Sequence, residues 1–335
     1  MSSARTALVI TSISAPNGVL QSFAEGCSAR GIDFILIGDR PSPADFELEG
    51  CDFWGLPRQR TMPFELANLL PERHYGRKNL GYLEAIQRGA EVILESDDDN
   101  FPREPFWEAR TREHHAASFE GTGWVNLYRS FSEEPIWPRG FPLENLQDQQ
   151  PATPAPTKRN CPIQQGLADE NPDVDAIYRL TGKLPLNFDQ RETPVSLGKG
   201  AWCPFNSQNT SWFREAFTLL YLPSYCSFRM TDIWRSYVAV RICWENGWDV
   251  LFHNATVWQE RNAHNLMKDF ADEVIGYQNN KAICDRLQAL PLKPGAEHIG
   301  ANMRACYNEF ITMGLVGEDE RPLLEAWLSD IAKLG

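Results

Sequence analysis

The acidic triplet Asp97-Asp98-Asp99 closes the apolar run Val92-Ile93-Leu94, and this junction constrains the fold more than any other feature of the chain. The apolar run reads as a buried strand. Carboxylates crowded at the end of such a strand repel one another and lose hydration, and a cluster of this kind usually persists because a divalent cation sits on it. In an extended chain side chains alternate, which puts Asp97 and Asp99 on the same side and Asp98 on the other. The pair could then hold one Mn2+ or Mg2+ against a diphosphate. The competing reading is an acidic turn that merely ends the strand.

The segments around the triplet alternate regularly. Ala7 to Ile13 is an apolar strand, Ser14 to Gly18 a polar turn, and Val19 to Ala29 a helix ended by Gly31. Phe34 to Ile37 forms a second strand, stopped by Gly38-Asp39, and Phe64 to Leu70 is a weaker helical segment. A stronger helix spans Arg77 to Arg88, with Leu80, Leu83 and Ile86 on one face and Gly89 as its stop. This β-α-β order predicts an α/β fold: a mainly parallel, Rossmann-like sheet with right-handed crossovers, flanked by helices. Ligands of such sheets gather at the carboxyl ends of the strands, where Asp39 and the triplet both fall.

The second half is read in the same way. Residues Pro102 to Thr157 are rich in Pro, Trp and Phe, and the Pro-rich stretch within 145–160 is an extended excursion rather than a boundary. Thr231 to Glu245 is a strong helix with Ile233, Tyr237, Val240 and Trp244 in one stripe, followed by the strand-like Val250-Leu251-Phe252. Beyond Met267 the pattern is helical. The expected organisation is one sheet domain over residues 1–266 and a small C-terminal helical appendage over 267–335.

Composition narrows the function. A net charge of −13 over 335 residues argues against a nucleic-acid partner, which wants a basic face. The eight cysteines show no CxxC spacing and lie among apolar residues, as reduced, buried thiols do. No segment has the length of a membrane span and the N-terminus lacks a signal-peptide core, so the expected location is cytoplasmic. The sequence says nothing of the oligomeric state.

Several clusters could carry chemistry. Arg77 and Lys78 open the helix that leads into the triplet, where a helix N-terminus favours anions, so they are candidates for diphosphate contact. Asp232 starts the second strong helix and is either a helix-start carboxylate or a general base for an attacking hydroxyl. Arg235 could orient an acceptor or pair with Asp232. The polar stretch Gln259 to Lys268 offers His264 as a third metal ligand and Arg261 and Lys268 for phosphate oxygens. His253 reads as structural and His114-His115 as a helix surface. Trp137 to Pro142 is a rigid turn that presents Arg139. Ala201 to Thr210 is either a sugar-lining segment or core.

The blocks YGRKNLGYLEAIQRGAEVILESDDDN (75–100), IWPRGFPLEN (136–145), QGLADENPDVDAIYRL (165–180) and TDIWRSYVAVRICWENG (231–247) resemble the STELLO-like glycosyltransferases. More broadly, the layout resembles the GT-A glycosyltransferase fold. The resemblance implies a metal-dependent transferase that moves a sugar from a nucleoside diphosphate sugar, a UDP-sugar foremost, to a glycan or other hydroxyl acceptor. Asp97 and Asp99 would contact the metal, Arg77 and Lys78 the diphosphate or sugar, and Asp232 would be the base, with a late metal or phosphate contact near His264. The plant members are membrane-anchored in the Golgi, a location not expected of this chain. A second, shorter resemblance, carried by PRGFPLEN and DDDN, is to the reversibly glycosylated polypeptides, which act as UDP-arabinopyranose mutases. It implies a sugar carried on Arg139. A third reading is a non-catalytic scaffold that retains the fold.

Overall fold

The computed structural model describes residues 4–260 and 265–335. The strands are β1 (Thr6–Thr11), β2 (Asp33–Ile37), β3 (Asp52–Trp54), β4 (Val92–Ser96), β5 (Asn100–Pro102), β6 (Glu113–Phe119), β7 (Gly123–Trp124), β8 (Thr157–Asn160), β9 (Ile163–Asp169), β10 (Val195–Leu197), β11 (Ala201–Trp202), β12 (Asn209–Phe213) and β13 (Val250–Gln259). The helices are α1 (Gly18–Ser28), α2 (Leu56–Gln59), α3 (Lys78–Gln87), α4 (Ala176–Thr181), α5 (Thr231–Glu245), α6 (Leu266–Ala289), α7 (Ile299–Thr312) and α8 (Glu320–Leu334).

The large sheet runs β3-β2-β1-β4-β12-β9-β13-β10-β6-β8, with β5 paired to β13 beside this path. Its first four strands are parallel, as the β-α-β alternation predicts. The next strand, β12, lies antiparallel to both of its neighbours, while β9 and β13 pair in parallel. The α/β class, the flanking helices and the C-terminal helices all match the expectation.

Period-two alternation divides the parallel strands between two faces. Leu8, Ile10, Phe34, Leu36, Val92 and Leu94 pack with Leu20, Phe23 and Cys27 of α1. Val9, Ile35, Ile37 and Ile93 point the other way, into the larger core with Leu80 and Leu83 of α3. Asn17 caps α1 by accepting from the Leu20 amide at 2.9 Å. Gly81 lets α3 press on the sheet, because a Cβ there would stand 2.5 Å from Val9 Cγ1.

Two local expectations are corrected. His114 and His115 lie on β6, not on a helix, because the run Glu113–Phe119 alternates toward a buried end and pairs with β10 and β8. Within Phe64 to Leu70 there is a single 3-10 turn, Leu66–Asn68. Helix α5 has its predicted bounds but is buried on every side, since α6 and α7 cover the face opposite the sheet. The eight cysteines are all unpaired, and most are buried.

The C-terminal helices pack against the sheet domain. Phe310, Tyr307 and Trp327 share one continuous core with the sheet. Buried carboxylates fasten the join. Glu320 accepts from the Tyr221 hydroxyl and from the Ser224 and Tyr225 amides, and Asp330 accepts from the Glu65 and Leu66 amides at 3.0 and 2.9 Å. A chain ending at residue 266 should therefore lose the cooperative thermal transition shown by the full chain.

Under the sheet, the Arg235 guanidinium of α5 holds both oxygens of Glu95 on β4, at 2.9 and 2.7 Å. Trp212 Nε1 and the Tyr82 hydroxyl donate to the same carboxylate. The expected pairing of Arg235 with Asp232 or with an acceptor is thus replaced by this fully buried pair. Removing one partner of such a pair costs about 3–5 kcal/mol. Urea titration of Arg235→Ala should show a loss of that order. Lys158→Ala, which breaks an exposed pair with Glu113, should cost far less.

Candidate functional site

The carboxyl ends of β1, β2 and β4 open on one rim, and two adjoining hollows lie along it. The first, of about 260 Å3, is lined by Asp97, Asp98, Asp99, Asp173 and Asp232 together with Arg139 and Arg229, and also by Tyr75, Ser207, Gln208 and Gln259. The second, of about 390 Å3, lies among Ile13, Asp39, His74, Arg77 and Phe228. Thr11, Tyr75, Asp98 and Phe228 line both.

The triplet is a tight turn rather than an extended segment. Asn100 N–H bonds back to the Asp97 carbonyl at 3.3 Å, and β5 starts immediately. The alternation expected from an extended chain therefore does not apply, and all three carboxylates reach the cleft. Asp98, expected on the opposite face, accepts from the Ser12 hydroxyl of the β1 rim. Asp99 accepts from Gln259 Nε2 at 2.9 Å. Asp97 keeps 39% of its side-chain surface at the cleft wall. Loss of hydration pushes its carboxyl up to about 7, Lys78 opposes the shift, and repulsion from Asp99, Asp232 and Asp98 adds to it.

Lys78 and Arg77 sit differently from the expectation. Lys78 is wholly buried beneath the turn. Its ammonium donates to the Ser96 and Ser207 carbonyls at 2.8 and 3.3 Å and lies 3.6 Å from Asp97. It offsets the triplet's charge from below and has no surface for a phosphate. Arg77 spends its guanidinium on Gln59 Oε1 at 2.7 Å and the Leu70 carbonyl at 2.9 Å, so it forms a wall of the second hollow. Asp39 is in that wall as well, fixed by the His74 amide at 2.9 Å. Lys268 is exposed in the first turn of α6 and lines neither hollow. Arg261 and His264 lie outside the described residues.

Arg139 stands between two carboxylates. It donates from Nε and Nη2 to Asp173 at 2.8 and 2.9 Å, and from Nη1 and Nη2 to Asp232 at 3.0 Å each. Its remaining Nη1 hydrogen goes to the Arg229 carbonyl. All five guanidinium N–H groups are thereby engaged. Burial works against this charge, but the two aspartates hold it firmly protonated. A nitrogen so engaged offers no lone pair to a sugar carbon, so this arrangement lends no support to the covalent-carrier role expected of Arg139. The turn that presents it is packed: Gly140 takes φ +92, and a Cβ there would meet Ile233 at 2.4 Å.

The base role expected of Asp232 meets a similar obstacle. Burial would raise its carboxyl, but Arg139, then Arg235 and the Ser207 amide, hold it far below the usual carboxylate range. At neutral pH it is a weak proton acceptor. Both of its oxygens accept from Arg139 at the cleft.

Several lining residues carry no motif of their own. Asp173 lies inside a block quoted for its family resemblance, and Ser207 and Gln208 lie in the segment read as sugar-lining or core. Arg229 comes from the turn before α5 and is held by Glu273 of α6 at 2.7 Å. His74 accepts from the Gly76 amide through Nδ1, and its Nε2 has no partner among the described residues. Burial pushes the His74 imidazole down to about 4 against the pull of Asp39, so it is neutral. The ring stacks on Tyr75, and Phe228 meets both edge-on.

Arg139→Met leaves Asp173 and Asp232 buried and unpaired, which should cost about 3–5 kcal/mol in urea titration. Intact-protein mass spectrometry of the unsubstituted protein after incubation with UDP-sugars and Mn2+ should show no adduct.

Residues 229–335 match the family model described as STELLO glycosyltransferases. Two proteins of Arabidopsis thaliana, "Probable glycosyltransferase STELLO2" and "Probable glycosyltransferase STELLO1", are 32% and 31% identical over 68% and 65% of this chain. The chain spans only 32% and 31% of their lengths. A solved structure titled "Crystal Structure of a Mycobacterial Protein" aligns with a TM-score of 0.40 at 11% identity, covering 83% of this chain and 75% of that one. That likeness is too slight to carry an argument. No helix among the described residues is long and apolar enough to cross a membrane. By sequence, the chain is a relative of the STELLO glycosyltransferases, matching the family model over its C-terminal part and the plant members over about two thirds of its own length.

Proposed function

We propose that the chain transfers a glycosyl group from a nucleoside diphosphate sugar to a hydroxyl acceptor. The names of the relatives support the reaction class. The observation that carries the reading is the union of the two hollows: one largely apolar and aromatic, the other densely charged, with four residues common to both. A nucleoside diphosphate has the same division, a flat base and ribose at one end and an anionic diphosphate at the other. The base lies against Ile13, Phe228 and the His74–Tyr75 pair, with His74 Nε2–H and Asp39 able to meet polar atoms of the nucleoside. The diphosphate crosses toward Asp97 and Asp99, with Arg229 and Arg139 facing it.

Charge makes a cation necessary in this reading. Five aspartates outnumber two arginines along the cleft, so the bare cleft repels a diphosphate. Hard carboxylate oxygens suit Mg2+ or Mn2+. No three His, Cys, Asp or Glu groups among the described residues form a ready-made metal cage. Two carboxylates with oxygens of the donor fit this pattern better, and Asp97 and Asp99 would be the pair. A divalent cation there would neutralise charge developing on the departing diphosphate. This chain's own part is to hold the donor between the two hollows and to keep Arg139 fixed through Asp173 and Asp232.

Thermal-shift measurements with nucleoside diphosphates test the reading. A ligand at about 100 times its Kd stabilises the native state by ~2.7 kcal/mol. Mn2+ alone and nucleotide alone should each shift the transition little, and the two together should shift it strongly. The combined substitutions Asp97→Ala and Asp99→Ala should abolish the joint effect and any donor hydrolysis. An equal shift in that variant would overturn the proposal.

A further inference from the structure

A third hollow opens on the same rim, at the carboxyl ends of β9 and β13. It measures about 670 Å3 and is lined by Arg103, Glu170, Asn171, Trp258, Gln259 and Glu260. Gln259 also lines the charged cleft, so the two spaces meet at this one side chain.

Gln259 is 8% exposed. Its Nε2 donates to Asp99, but its Oε1 has no hydrogen-bond partner among the described residues. An unsatisfied buried carbonyl oxygen costs about 1–3 kcal/mol, and an incoming O–H or N–H donor would recover that. Glu170 provides a separate sign of function. It takes φ +68, a left-handed conformation unusual for a residue with a Cβ. Backbone bonds in both directions with Leu186 hold it there. Strain of this kind costs of order 1–3 kcal/mol and collects at ligand sites.

The lining chemistry selects the ligand. The Trp258 indole stacks on Phe101 at 4.5 Å, with the ring planes 11° apart. Around it stand two carboxylates, Glu170 and Glu260, the Asn171 amide, and Arg103, whose guanidinium holds Asp169 at 2.7 Å. An aromatic wall ringed by carboxylate and amide acceptors suits a molecule with apolar C–H faces and many hydroxyl donors. That description fits a saccharide, and it does not fit an anion or an apolar chain.

We propose that this hollow seats a saccharide acceptor, with Gln259 Oε1 receiving a sugar hydroxyl where the hollow meets the charged cleft. The proposal rests on the transferase reading for the word acceptor, while the binding itself can be measured without a donor.

Saturation-transfer NMR with the methyl glycosides of glucose, galactose, mannose and xylose provides the test. At least one of them should bind the full chain. Trp258→Ala should weaken it by about tenfold, the equivalent of ~1.4 kcal/mol. Glu170→Gly should weaken binding to a similar degree while leaving thermal stability equal or higher, since glycine relieves the positive φ. That second variant guards against a folding defect in the first. Binding of none of the four, or equal affinity in both variants, overturns the proposal. If the glycosides bind and both variants lose them, yet no nucleoside diphosphate binds with Mn2+, the saccharide site stands and the donor reading falls.

Discussion

The pairing of Glu95 with Arg235 is the constraint on which the rest of the structure depends. A carboxylate and a guanidinium buried together require close geometry, because each alone would carry a large desolvation cost. Glu95 lies two residues before the triplet on β4, and Arg235 lies one helical turn after Asp232 on α5. Their bidentate contact therefore fixes the distance between the two acidic walls of the cleft. Tyr82 and Trp212 complete the carboxylate's hydrogen bonding from α3 and β12, so four elements are pinned at one point.

Similar pairings hold the cleft outward from that point. Lys78 supports the triplet from beneath, and Arg139 bridges Asp173 and Asp232. Arg229 is tied to Glu273, so α6 reaches the site through one ion pair. Glu320 fixes the segment 221–225 beside Gly76. The C-terminal helices are thus structural partners of the site as well as of the core. The cleft is anionic at its floor but bounded by fixed guanidinium groups, an arrangement suited to a cation–diphosphate pair.

The rim also gives the three hollows a sequence in space. Apolar and aromatic at one end, charged in the middle, aromatic and polar at the other, they follow the strand ends from β2 to β13. A donor laid along the first two would present its sugar toward the third. Strand direction decides this geometry, because β9 and β13 run parallel and both end there.

The sequence by itself determined several of the elements and the acidic end of β4. Apolar alternation and glycine stops are local, and they marked β1, α1, β2, α3 and α5 within a residue or two of their bounds. It also marked the triplet, Asp39, Arg139 and Asp232 as worth attention, and all of them line the rim. What each does was decided by tertiary structure. A cation at a helix start looks the same in sequence whether it faces a phosphate or, like Lys78, is buried under a turn. Arg139 looked like a possible sugar carrier until its five N–H groups met acceptors more than thirty residues away in sequence. Asp232 reads in sequence as a helix-start carboxylate or a base, and only the fold shows the same guanidinium against it. Gln259 and Glu170 lie in stretches the sequence singled out, but for other residues, because an unpartnered oxygen and a left-handed backbone exist only once distant strands meet. Charge and hydrogen bonding act through space, and sequence reports only which groups are available to be brought together.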